Sequence, residues 1–593
     1  RFLYDRVDGN DAYETPISGS YNYFYDRDRR LTGIRFPSGK EIRGTYSKGN
    51  LVRIETPDGS TDIGYNACGT KMNALVRGGE ELTRTHDGIL LTSETSKGTM
   101  NQSVRYGYDS DFRVNTLAYA GGTAHYAWDG DGLLTGAGDF TVSRNRENGL
   151  PESVSGGAWN LNRVFNGYGE VERETVVVNQ KTVSDVAFTR DRTGRITEKS
   201  ETAGGVTRRY AYAYDGLGRL VEAARDGEVV ESYRCDVTGT RVHEDNVLRG
   251  ISGRVMRYSA EEHLLTAGEA AYRYDLDGFL LRKTDAAGDT DYYYTRLGEL
   301  EKVAFPDGKT VGYLHDPLGR RIAKKVNGAV VEKYLWQGLT RLLAVYDGED
   351  RLLQRFDYAD GRMPAAMTMD GRTWYLCFDQ AGTLRAVADD GGIVVKRIDC
   401  DAFGNIIGDT NPSFWVPFGF AGGLHDRDTG LVRFGFRDYD PDTGRWTAKD
   451  PIGFAGGDVD LYGYVLNDPV DRTDPFGLWY FDINISLGFW GGGTGGVMIG
   501  SEGIYPYVGG GIVSPYGGFS VTWSLSNPDP GWNIGLQGVF GIAGQYGYSF
   551  GEDAGQFWEI GIGWPPGESI TSYYVWKPWK WPWKKDKDDG PCE

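Results

Sequence analysis

The chain has 593 residues, with 83 acidic against 64 basic side chains, a net charge of −19 and a pI near 4.9. Such a surface argues against nucleic-acid binding, which needs a basic footprint, and no apolar run is long enough for a membrane-spanning helix. The 87 glycines, 38 tyrosines and 25 phenylalanines favour β-structure with many tight turns over helix bundles.

The opening residues, Arg1-Phe2-Leu3-Tyr4-Asp5, enter in mid-repeat with neither Met nor a signal-peptide pattern, and read as part of something longer. A first domain is expected over residues 1–415, where one unit recurs: an aromatic, then Asp, a short turn ending in Gly, and an alternating run. Clear copies are YAYDGLGRL from Tyr212, YRYDLDGFL from Tyr272 and YLHDPLGRRI from Tyr313; weaker ones begin at Phe188, Tyr233, Tyr292 and Phe378. Asp215 to Asp236 is a step of 21 residues, and Asp275, Thr295 and Asp316 repeat it at 20 and 21. A fixed period of this size marks a repeat architecture.

The unit has a physical logic. Asp-x-x-Gly between alternating segments predicts a hairpin, with Asp bonding the turn backbone and Gly supplying positive φ. One unit cannot bury its own apolar face, so neighbours must stack into a continuous sheet, and accumulated strand twist must curl that sheet. The repeated Asp and Tyr are therefore read as turn cap and packed strand residue rather than as a sugar-binding set.

The six histidines, His86, His125, His243, His263, His315 and His425, lack zinc-site spacing, and no phosphate loop, dinucleotide fingerprint or nucleophile elbow occurs. No cofactor and no metal are expected. Cys68, Cys235, Cys377, Cys400 and Cys592 are odd in number and far apart, which predicts small buried apolar residues rather than a disulfide framework.

Residues 416–478 differ in character, packing turn residues and charges densely. Asp450-Pro-Ile-Gly and Asp474-Pro-Phe-Gly are near-copies. Proline holds each preceding Asp in an extended conformation, and glycine permits the bend after it. Two carboxylates brought together do not both ionise cheaply, so one keeps its proton, and the resulting acid and base can activate a water against a peptide bond. The alternative for Asp450 and Asp474 is that both merely cap turns. Arg445 would help if it lay beside the pair, holding one Asp ionised; the alternative is that it closes a structural ion pair.

The run GLVRFGFRDYDPDTGRWTAKDPIGFAGG from Gly430, followed by LYGYVLNDP and DPFGL, resembles the core signature of the Rhs/YD-repeat family, which includes Tc toxin C subunits and, more distantly, the teneurins. That resemblance implies an all-β fold in which YD hairpins spiral into a hollow β-shell. It also implies that Asp450 and Asp474 cut the chain between Leu478 and Trp479, freeing a variable C-terminal segment enclosed by the shell. Where the family carries Asn, this chain has Asp460, a third acid near the pair.

Residues 479–593 form the expected cargo domain. They are glycine-rich, hold ten of the sixteen tryptophans and contain neither Arg nor His. Alternating runs separated by glycine clusters predict six to eight short antiparallel strands in a small barrel or sandwich, with a flexible Trp-Pro-Lys end. With no acid beside a His or Arg, enzyme chemistry is poorly supplied. Three readings stand: a membrane-active segment, whose Trp, Tyr and alternating strands suit a bilayer boundary; a binding or inert barrel; and an unrecognised enzyme toxin.

For the whole chain the leading expectation is a toxin shell, secreted or delivered into target cells, with its own C-terminal segment as cargo. Delivery machinery, an immunity protein and a target membrane are the expected partners, and nucleic acid is not. The rival is a teneurin-like cell-surface adhesion protein that releases nothing.

Overall fold

The computed structural model describes residues 2–4, 10–456 and 458–478, together with strand backbone at intervals from 481 to 580. The chain divides into two compact units, one of residues 1–127 and 136–485 and one of residues 128–135 and 486–593.

The first unit is all-β. Forty strands, from Phe2–Tyr4 to Ile406–Asp409, belong to one sheet. Sequential neighbours pair antiparallel; Val206–Tyr214, for example, pairs with Leu220–Arg225. The repeated sequence explains each bend. Asp215 N–H donates to the Arg219 carbonyl and Gly218 N–H to the Asp215 carbonyl, each at 3.0 Å. The Asp215 carboxylate accepts the N–H groups of Leu217 (2.9 Å) and Arg219 (3.1 Å) and takes the Arg219 Nε at 2.6 Å. Gly218 sits at φ 83°, where an L side chain is disfavoured. The register slips by one residue just before this turn, between Ala213 and Tyr214. A type I turn closed by a left-handed residue and a bulge has this form.

At several turns the preceding tyrosine ties its repeat to the one before. Tyr214 donates its hydroxyl to the Ile196 carbonyl (2.8 Å), Tyr65 to Leu51 (3.0 Å), Tyr108 to Leu91 (2.8 Å) and Tyr358 to Leu342 (2.8 Å). The structural reading of the Tyr-Asp pair therefore holds: Asp shapes its own turn and Tyr staples the preceding strand.

The sheet also winds back upon itself. Ser18 and Ile17 are gripped by Glu261, Ser38 by Asp277, Arg77 by Glu299, and Arg296 N–H by Asp58. The partners lie between 222 and 244 residues apart in sequence. Further on, Arg385 clasps Glu201 at 2.7 Å, both buried. Strand twist supplies the curvature, and these polar contacts fix where one coil meets the next.

Burial deepens along the chain. Strand Glu41–Ser47 has no fully buried residue, whereas Arg341–Tyr346 is buried throughout. The second face of the later strands is covered by residues 416–478, described below. Four free cysteines are described: Cys377 is buried, Cys235 and Cys400 are half-buried, and Cys68 is exposed, which departs from the expected burial because it sits in a hairpin turn; Cys592 lies outside the described residues. In the second unit, strands from Gly492–Gly500 to Trp579–Lys580 form one eight-stranded antiparallel sheet. The expected flexible end falls largely outside the described residues.

Candidate functional site

Residues 416–478 form a compact insert rather than another run of hairpins. Leu424–His425, Val432–Phe434, Arg437–Asp440 and Arg445–Trp446 make a small four-stranded sheet. Phe434, Tyr439, Trp446, Tyr462 and Tyr464 are almost fully buried, with Tyr439 and Tyr464 ring centroids 4.5 Å apart. Such aromatic packing buries a large apolar area per residue. The insert is bonded to the sheet at many points: Tyr462 Oη donates to the Gly278 carbonyl (2.7 Å), Tyr439 Oη to Phe403 (2.8 Å), and Arg321 and Lys324 pair with Asp438 (2.8 Å) and Asp426 (2.9 Å).

This rigid insert brings Asp450 and Asp474 together. One guanidinium nitrogen, Nη2 of Arg437, lies 2.9 Å from Asp450 Oδ2 and 3.2 Å from Asp474 Oδ2. Arg437 is itself fixed: its Nε donates to the Gly477 carbonyl at 2.5 Å, and its guanidinium lies 4.2 Å from the centroid of the Trp446 ring. Both aspartates also cap their own Asp-Pro-x-Gly turns. Asp450 Oδ1 accepts Ile452 N–H (2.9 Å), while Asp474 Oδ1 accepts the N–H groups of Phe476 (3.3 Å), Gly477 (2.8 Å) and Leu478 (3.1 Å). Gly477 is required twice over, by its φ of 68° and because a Cβ there would come within 2.6 Å of the Phe434 carbonyl oxygen.

A small cavity with room for a water molecule is lined by Arg437, Asp450, Asp458, Asp460, Asp474 and Leu478 among others. Asp450, Asp458 and Asp474 are reluctant to ionise. Burial pushes Asp450 up to about 7 against the pull of Arg437, with Asp474 adding to the rise. Burial likewise raises Asp474 to about 6, opposed by Arg437 and the three turn N–H groups. Asp458 rises to about 6, chiefly by burial. A proton shared across the pair near neutrality is the state in which one group donates and the other accepts.

Arg445 is placed elsewhere. It forms a two-pronged pair with Asp460, with Nη2 2.7 Å from Oδ1, and also donates to the Glu262 carbonyl at 3.0 Å. Asp460, standing where the family carries Asn, supplies the full carboxylate that captures this guanidinium. The arginine beside the dyad is therefore Arg437, in the same charged run but eight positions earlier. Its signal in sequence was weak, because two arginines flank the same acids. Asp458 carries no signal in the sequence, since only the cavity distinguishes it from a surface acid. Leu478 is buried at the cavity wall, whereas Trp479 lies outside the described residues. Among the described residues no cluster of His, Cys, Asp and Glu has the form of a metal site.

A wound sheet of Tyr-Asp hairpins, capped by a signature insert that encloses two carboxyls, defines a shell protein of the Rhs/YD-repeat class. The sequence model of the Teneurin YD-shell family matches residues 11–470, and the chain belongs to that family. Teneurin-3 of Danio rerio is 28% identical over 410 residues, which are 66% of this chain and 15% of that protein. Teneurin-1 of Gallus gallus is 32% identical over 296 residues, covering 48% and 11%. A probable deoxyribonuclease RhsA of Dickeya dadantii is 27% identical over 439 residues, covering 66% and 28%. The chain thus spans a small part of the curated relatives it matches. Among solved structures, the TcdB2-TccC3-Cdc42 crystal structure superposes with a TM-score of 0.60 at 16% identity, covering 80% of this chain and 28% of that one. The Photorhabdus luminescens Tc holotoxin pore gives 0.60 at 15% identity, covering 81% and 28%. These structures share the shell fold.

Proposed function

We propose that the chain is a toxin shell that cuts itself once, between Leu478 and Trp479, and so frees its C-terminal segment. The observation that carries this is Asp450 and Asp474 meeting across one guanidinium in a cavity whose wall includes Leu478. Asp450, with the higher proton affinity, acts as the acid, and Asp474 as the base. Asp474 takes a proton from water as the water oxygen bonds to the Leu478 carbonyl carbon. Asp450 donates its proton to the departing Trp479 nitrogen as the carbon–nitrogen bond breaks. Leu478 is fixed in the turn that Asp474 caps and lines the cavity, so in this reading a single turnover gains from proximity.

Asp450→Asn and Asp474→Asn should each leave the full-length chain on a denaturing gel, while the parent chain yields a fragment beginning at Trp479. Release of that fragment by both variants would sink the dyad, and loss of cleavage in Asp460→Asn alone would shift the chemistry to Asp460.

Enclosure of residues 479–593 by the shell is the second half of this reading, with delivery into a target cell, by outside machinery and against an immunity partner, as its use. The likeness to an Rhs protein and to Tc toxin shells supports it. The similarity to teneurins favours the rival, a surface adhesion protein whose tail stays attached and exposed. Limited proteolysis separates them: an enclosed tail outlasts the shell's surface loops, and an exposed one goes first.

For the freed segment we favour action on membranes, given its aromatic residues, alternating strands and lack of Arg and His. Residues 479–593 alone should leak dye from liposomes. Intact liposomes together with killing from the cytoplasm would point instead to an unrecognised enzyme.

A further inference from the structure

Lys449, the residue before Asp450, has an unusual setting. Among the described residues it makes no ion pair; its ammonium is held instead over two aromatic faces, 4.1 Å from the Tyr21 ring centroid and 4.7 Å from that of Tyr13. Phe454, on the other side of Asp450, meets Tyr13 edge-on with centroids 5.6 Å apart and planes at 79°. Tyr13 and Tyr21 stack on each other at 6.1 Å. Both lie on the opening strands Asn10–Glu14 and Ser20–Tyr25, more than four hundred positions upstream of the dyad in sequence.

Those opening strands are anchored in turn to the next coil of the sheet. Tyr21 Oη donates to the Asp277 carbonyl at 2.7 Å, and the hairpin bend between the strands is held by Glu261, which accepts Ile17 N–H (2.8 Å) and Ser18 N–H (2.6 Å). Two polar anchors thus seat the first hairpin, and two aromatic rings of that hairpin then hold the segment 449–454 in which Asp450 lies.

We propose that Tyr13, Tyr21 and Lys449 are positioning residues that license the cut. Asp450 reaches its working place only once the first hairpin has closed onto the second coil, so the chain cleaves after the shell is wound and not before. This rests on the self-cleavage reading above. The advantage is one of order: a segment cut free from a half-wound shell would leave it before enclosure. A carboxyl displaced by about 1 Å loses up to a hundredfold in rate, so a contact to its neighbour suffices as a control.

The test is the rate of scission of the 593-residue chain, followed through a translation time course. Lys449→Met and Tyr21→Leu should each slow scission by about tenfold or more. Lys449→Arg, which keeps a cation over the rings, should remain within about threefold of the parent. Tyr358→Phe, which removes a buried bond of the same unit far from the dyad in sequence, corrects for lost stability and should leave the rate unchanged. If Lys449→Met misfolds, Tyr13→Leu against Tyr13→Phe makes the same comparison. Parent-like scission in Lys449→Met or Tyr21→Leu, with Asp450→Asn uncut, overturns the licensing and leaves the dyad standing. Equal slowing in Tyr358→Phe overturns it too, as a stability effect. Scission in Asp450→Asn overturns the reading beneath it.

Discussion

The Asp474 carboxylate accepts the backbone N–H of Leu478 at 3.1 Å, so the side chain proposed to work on a peptide bond also builds the turn that presents it. Asparagine keeps an acceptor oxygen at that place and alanine does not. Asp474→Asn should therefore stay within about 1 kcal/mol of the parent in urea unfolding while failing to cleave. Asp474→Ala leaves the N–H groups of Phe476, Gly477 and Leu478 without their acceptor and should lose about 1–3 kcal/mol or more. Equal stability of the two variants would show that the turn stands without the carboxylate.

Arg437 offers a second check. Its removal strands two buried carboxyls and exposes the Trp446 face it covers. Arg437→Met should cost about 3–5 kcal/mol near neutral pH, and less at pH 5, where both carboxyls hold protons. A loss that is the same at both pH values would mean that the guanidinium serves only as packing.

The pH dependence of cleavage follows from the same pair. With Asp474 near 6 and Asp450 near 7, the state with one proton on the pair prevails between those values. Scission should be fastest between about pH 6 and 7 and fall on both sides. Because the folded chain keeps protons that the unfolded chain releases near 4, these groups make folding less favourable as pH rises from about 4 to about 7. A rate that climbs steadily to pH 9 would exclude Asp450 as the acid.

The coil contacts behave in the opposite sense. Glu201 is buried, yet Arg385 and Lys199 outweigh that burial and hold its carboxyl down at about 2. Its contribution to stability is complete above its unfolded value near 4.5 and is lost as pH falls through about 2. The shell should therefore keep its near-ultraviolet circular dichroism at pH 5. Glu201→Gln, which leaves Lys199 without its ion-pair partner and Arg385 with only Asp399 at 3.7 Å, should cost about 3–5 kcal/mol in denaturant unfolding. A neutral substitution would show that water reaches this pair.

The tyrosine staples can be weighed singly. Tyr358 is buried and gives its hydroxyl to the Leu342 carbonyl at 2.8 Å. Tyr358→Phe should cost about 1–2 kcal/mol by leaving that carbonyl unmet. Cross-strand packing of the ring, which phenylalanine keeps, would be the whole contribution if the variant unfolds with the parent.

The repeat, its turns and the two Asp-Pro turns were legible in the residues themselves, because each depends on contacts within about five positions. Asp215, Gly218 and Arg219 make their turn wherever the hairpin lies, and Asp474 bonds N–H groups two to four residues ahead. The winding of the sheet was not legible. Ser18 meets Glu261 and Arg385 meets Glu201 only because small twists summed over many strands bring them together, and no local pattern records that sum. The same limit decided which arginine meets the two carboxyls. Arg437 and Arg445 stand in one charged run, and the one nearer to Asp450 in sequence is not the one that meets it. Only the packed insert, with Asp460 claiming Arg445 and Trp446 supporting Arg437, separates their roles.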